Sequence, residues 1–198
     1  MRRLLAVAAL LLTPACDHLL DQGAVPTYSP WEEGLTLVFT DPTRPSADML
    51  QVRVEKSTVT PEGRTVVESF STLSGVQVDT FRQVDGRVFL KLDGQQDIVL
   101  LPAGFPDRTG RWIERGYVNY IVGRARVDLA GVKLPDPEAE GVWVESVPLS
   151  GQGILRRSLM VPDYGEVATL NWRNGQWVLV NQLVSQGYTD PHYVGSAK

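Results

Sequence analysis

Residues 169–180 read TLNWRNGQWVLV, two runs of alternating side chains joined by Asn174-Gly175. Asparagine followed by glycine tolerates positive φ at both positions. A two-residue turn needs that if its twist is to match the twist of the strands it joins. The pair therefore predicts a tight hairpin. Its register sets Trp172 opposite Trp177 and Leu170 opposite Leu179 on one face, and Asn171 opposite Val178 and Thr169 opposite Val180 on the other. Both faces are at least half apolar, whereas a sheet with one side in water is polar on that side. A second sheet, a tail, a partner or a ligand is expected to cover each of them.

The same turn chemistry recurs upstream. Asp85-Gly86 and Asp93-Gly94 each separate strand-like runs, the second setting Phe89 opposite Ile98 and Val88 opposite Val99. From Gly34 to Ser185, glycine or proline interrupts short alternating runs roughly every eight to twelve residues, the spacing of an all-β domain. No long segment sustains a 3.6-residue period, so little helix is expected. The predicted fold is all-β: a single curved antiparallel sheet forming a half-open barrel, or a β-sandwich. Its domain spans residues 34–185, and residues 186–198 hold no pattern and read as a loose C-terminal tail.

The N-terminus is organised differently. Arg2 and Arg3 precede Leu4 to Leu12, a run without a polar side chain. As a helix those residues would span roughly 14 Å, too short for a hydrocarbon core about 30 Å thick. Two arginines, a short apolar run and Thr13-Pro14-Ala15 make residues 1–15 a secretory signal peptide. Cys16, the one cysteine of the chain, follows immediately.

On these residues the segment resembles a bacterial lipoprotein precursor, with Thr13 and Pro14 where the family more often has leucine and a small residue. The resemblance implies cleavage before Cys16, diacylglycerol on its thiol and an acyl chain on its new amine. Several acyl chains on one residue hold a protein firmly to a membrane, each buried methylene contributing about 0.8 kcal/mol. The alternative is an ordinary signal peptide cut after Ala15, with Cys16 a free thiol. Residues 16–33 then read as a lipidated N-terminus and tether, polar, proline-containing and aperiodic, with Trp31 docking at its end.

A second resemblance joins the two ends of the domain. Tyr28, Pro30, Gly34 and Phe39 in YSPWEEGLTLVF are similar to the opening of a group of β-rich bacterial envelope lipoproteins. VWVESV (142–147) and LMVPDYGEV (159–167) are similar to their closing strands, with Asp163 where a glycine is usual. The resemblance implies a curved antiparallel sheet. It brings no activity with it, because that group is mostly uncharacterised.

Composition narrows the function. The chain carries a net charge of −4, and loss of Arg2 and Arg3 with the signal makes it −6. An acidic surface argues against nucleic acid, which needs a basic face. Of two histidines, His18 lies in the tether and His192 in the tail. Neither place holds a base against a nucleophile, nor do they cluster as zinc ligands. Asp136, Glu138 and Glu140 could offer oxygens to calcium but lack the spacing of a calcium loop. Arg124 with Arg126, and Arg156-Arg157, form small basic spots suited to an anionic headgroup, or solvated faces with cross-strand partners such as Glu145.

No catalytic residue, metal site or cofactor is expected. The expected protein is a non-enzymatic, lipid-anchored envelope lipoprotein, facing the periplasm or the cell surface. It would serve as an accessory or scaffold subunit of an envelope assembly. Alternatively it carries or senses a hydrophobic ligand in a half-open barrel. Its partners would be the membrane through acylated Cys16, and an envelope protein or a lipid. Trp172, Trp177, Leu170, Leu179 and Leu183 form the candidate apolar ligand or partner face, or else part of a closed core.

Overall fold

The computed structural model describes residues 27–44, 49–107, 110–128, 134 and 136–188. These residues form one twelve-stranded sheet with almost no helix. The first half comprises β1 (Leu35–Thr40), β2 (Leu50–Thr60), β3 (Gly63–Thr72), β4 (Gly75–Val84), β5 (Arg87–Leu90) and β6 (Ile98–Leu101). The second comprises β7 (Arg111–Glu114), β8 (Tyr117–Arg126), β9 (Glu140–Pro148), β10 (Arg156–Val161), β11 (Gly165–Arg173) and β12 (Gln176–Tyr188).

Each strand pairs antiparallel with its neighbours in sequence except across β6 and β7, and β1 pairs with β12. The sheet thereby rolls almost shut into a barrel with one seam. The indole N–H of Trp112 on β7 crosses that seam to the Leu100 carbonyl on β6, at 3.0 Å. The half-open barrel is the observed fold, and the two-sheet sandwich is not.

The hairpins follow their turn residues. Asp85 and Gly86 (φ 49° and 71°) and Asn174 and Gly175 (φ 50° and 80°) both take positive φ, as a type I′ turn requires. Trp172 faces Trp177 and Leu170 faces Leu179 as expected. Two registers need correction. Thr169 faces Asn181 rather than Val180, because a bulge interrupts the ladder after Leu170. Phe89 faces Val99, Leu90 takes Ile98, and Val88 faces Leu101 rather than Val99. Asp93-Gly94 is not a two-residue hairpin turn: of the pair, Gly94 alone has positive φ, and it sits in a loop closed by Gln95 N–H to the Leu92 carbonyl at 3.3 Å.

The domain also reaches further than its sequence pattern. β12 runs to Tyr188, since β1 supplies partners for Gln186, Gly187 and Tyr188 in Leu37, Thr36 and Leu35. A strand without an amphipathic signature is held here by backbone pairing, with the Tyr188 hydroxyl donating to Glu32 and the Gln186 amide to the Asp163 carbonyl. At the other end Trp31, in the segment read as tether, is buried within an apolar cluster with Val54, Val66, Phe81 and Leu90. A second cluster gathers Phe39, Val52, Leu159, Val167 and Leu183, with Val127, Leu134 and Ala139 of the β8–β9 connection packed into it.

Candidate ligand-binding cavity

The β10–β11 turn and the N-terminal segment together close one mouth of the barrel. Asp163 donates its backbone N–H to the Thr27 carbonyl at 2.7 Å. Gly165 takes φ +75°, and a Cβ there would lie 3.1 Å from Pro30 Cδ and 3.3 Å from the Tyr28 oxygen. Glycine is needed both for the backbone and for the close approach. The two stretches quoted above for their family resemblance, around Tyr28-Pro30 and Gly165, are therefore in contact.

Below this plug lies a cavity of about 390 Å³, the size of a small-molecule site. Its walls differ. Leu37, Phe39, Val52, Phe70, Phe81 and Val88, from β1 to β5, make one side apolar, with Trp31 beside them. The β7–β10 side is polar. Direct partners in a sheet share a face, and one rung runs Trp112, Asn119, Ser146, Arg156 across those four strands. The next rung brings Val144 and Ser158, and all six residues line the cavity.

This polar wall is built and incompletely satisfied. Ser146 donates its hydroxyl to Asn119 Oδ1 at 2.6 Å, fixing the amide. Asn119 is 1% exposed and Ser158 4%. Asn119 Nδ2, Ser158 Oγ and Arg156 Nε are buried atoms without a hydrogen-bond partner. Buried polar groups are nearly always paired, and leaving one unpaired costs about 1–3 kcal/mol. The Arg156 guanidinium sits 5.9 Å from the centre of the Tyr117 ring.

Carboxylates face the same space. Glu68 on β3 and Asp79 on β4 are direct cross-strand partners, and both line the cavity. Burial pushes the Glu68 carboxyl up to about 7, the Trp31 side chain opposing and the Asp79 charge adding to the rise. Burial also raises Glu114, on β7, against the pull of Arg156 and Arg115 and with a push from Glu166. Glu166 itself accepts a short hydrogen bond from the Thr169 hydroxyl.

The residues singled out from sequence are divided between the two faces of the sheet. Arg157 pairs with Leu170, and Leu170 with Leu179. Since Arg156 and Ser158 line the cavity, alternation turns Arg157, Leu170 and Leu179 away from it. Trp177 and Trp172 are beyond the cavity as well, stacked edge to face at 5.2 Å, with Trp172 44% exposed. Leu183 is separated from them by the bulge: it pairs with Phe39, which lines the cavity, and is 2% exposed. Cys16 and both histidines lie outside the described residues.

The basic spots divide in the same way. Arg157 takes Glu145 at 2.8 Å and covers the Trp177 ring at 4.3 Å, whereas Arg156 turns inward. Arg124 pairs with Asp107, and Arg126 with Asp128 at 2.6 Å. Asp136 caps the Glu138 backbone N–H at 3.1 Å. Asn119, Ser146 and Ser158 are absent from the residues picked out by sequence. A single polar residue on an alternating strand carries the signal of a water-facing position, and nothing local says that it faces a lumen.

No family model matches this chain, and no curated protein sequence matches it. Solved structures do. A protein of Bacteroides fragilis, provisionally described as exported and as having a YmcC-like fold, superposes over 82% of this chain and all of its own, with a TM-score of 0.51 at 12% identity. A Parabacteroides distasonis protein provisionally described as a lipoprotein covers 83% of this chain and all of its own, with a TM-score of 0.52 at 12% identity. At that identity the likeness is one of fold.

Proposed function

We propose that this protein is a non-enzymatic, lipid-anchored binding protein of the bacterial cell envelope, which carries or senses a ligand held inside its barrel. The cavity carries this reading: a half-open space of about 390 Å³ with an apolar wall facing three buried, unpartnered hydrogen-bonding atoms. A barrel used purely as scaffold would gain stability by filling that space with side chains. The signal-peptide pattern ahead of Cys16 supports the envelope location, and the description of one structural neighbour as exported and the other as a lipoprotein agrees with it.

The scaffold reading keeps one observation in its favour, the exposed Trp172 edge-on against Trp177, since aromatic side chains are enriched at protein interfaces. Weighing the exported protein first under native and then under denaturing conditions separates the two. A mass carried natively and lost on denaturation supports the carrier. A bare mass, together with a co-purifying protein that Trp172→Ala releases, supports the scaffold.

A further inference from the structure

The cavity holds two corners of opposite charge, neither of which has an ion-pair partner within 4.0 Å among the described residues. Arg156 makes no ion pair with a described carboxylate, although Asn119 and Ser158 add donors beside it. Across the lumen, Glu68 and Asp79 sit side by side. Among the described residues no cation pairs with either, and Asp79 takes the Gln77 amide instead, at 2.9 Å. All three charged side chains are partly shielded from water, where a charge without a partner is disfavoured, and two such corners of opposite sign in one cavity are accounted for by a ligand that carries both charges.

We propose that the ligand is a zwitterionic amphiphile: its oxyanion seats on Arg156, Asn119 and Ser158, its cationic group on Glu68 and Asp79 beside Trp31, and its apolar body along the β1–β5 wall. The arrangement fits each group. The guanidinium and the two neutral donors present hydrogens to carboxylate or phosphate oxygens, the geometry arginine favours. An ammonium at Glu68 gains its carboxylate, and the Trp31 indole, which hydrogen-bonds that carboxylate, lines the same corner. Phe39, Val52 and Phe70 leave room for an alkyl chain between the two. Glu114 and Glu166 share the arginine wall. Arg115 lies with them as a second cation, and neither carboxylate is within ion-pair distance of Arg156, whose Nε has no hydrogen-bond partner.

This inference rests on the carrier reading and is tested separately from it. The Cys16→Ser chain, which needs no detergent, is titrated calorimetrically below micelle-forming concentrations with four twelve-carbon probes. These are dodecylphosphocholine, dodecyl phosphate, dodecyltrimethylammonium and dodecanol. The zwitterion should bind about ten- to a hundredfold more tightly than the alcohol, the weight of hydrogen bonds to charged groups. Arg156→Gln should weaken the phosphocholine and the phosphate but spare the ammonium, and Glu68→Gln should weaken the phosphocholine and the ammonium but spare the phosphate. Ser158→Ala removes an unpartnered hydroxyl, so it should keep the melting temperature while weakening phosphate binding, and it stands in if Arg156→Gln does not fold. Equal binding of phosphate and phosphocholine, or of all four probes, overturns the zwitterion and leaves a carrier. Binding of none overturns both.

Discussion

Glu68→Gln is the substitution through which the cavity's electrostatics should be most visible in stability. The folded protein holds the Glu68 proton up to about 7, against an ordinary value of 4.5, and burial is the main cause. An acid whose folded pKa is raised keeps its proton in the native state while the unfolded chain has lost it. Unfolding therefore releases a proton between about 4.5 and 7, and stability falls as pH rises through that window. Below it the group costs nothing, and above it the full cost is present. At ~1.4 kcal/mol per pH unit the difference amounts to about 3 kcal/mol. For a domain of this size that is roughly 6–12 °C in melting temperature.

Asp41, which Thr43 and Arg44 hold down to about 2, titrates below the window. Glu114 is raised like Glu68 and adds a slope of the same sign, so the informative quantity is the difference between the two proteins. Urea unfolding at pH 5 and pH 8 measures it. Wild type should lose roughly 2–3 kcal/mol that Glu68→Gln retains, and the variant should be the more stable protein at pH 8. Parallel losses in the two proteins would refute the claim that Glu68 is buried and unneutralised. The electrostatic basis for a cationic ligand group at that corner would go with it.

Gly165→Ala should cost about 1–2 kcal/mol for its left-handed backbone, with a further loss from crowding Pro30, and a thermal melt would read it; an unchanged melt would mean that the plug is not seated on the β10–β11 turn. Leu183→Ala, fully inside, should cost roughly 2–5 kcal/mol, whereas Trp172→Ala, nearly half exposed, should cost much less. Equal losses in denaturant titrations would contradict the bulge that separates the two residues. Cys16→Ser should move the protein from the membrane fraction to the soluble envelope fraction, and unchanged retention on fractionation would remove the lipid anchor.

The chain's local chemistry determined its strands and its tightest turns. Asn174-Gly175 and Asp85-Gly86 fix their hairpins because positive φ at two consecutive residues is a property of those residues, whatever surrounds them. Alternation likewise marks two faces on each strand. It does not say which face is enclosed. That depends on the sheet curling until β1 meets β12, a pairing between segments nearly a whole domain apart. One unpaired residue in β12 then sends Leu183 to the cavity side and leaves Leu179 on the other. Pairing of β8, β9 and β10 places Asn119, Ser146 and Arg156 on a single rung, and the curl of the sheet turns that rung inward. In sequence each has the look of a solvated strand position; once the barrel is rolled, they wall its interior cavity.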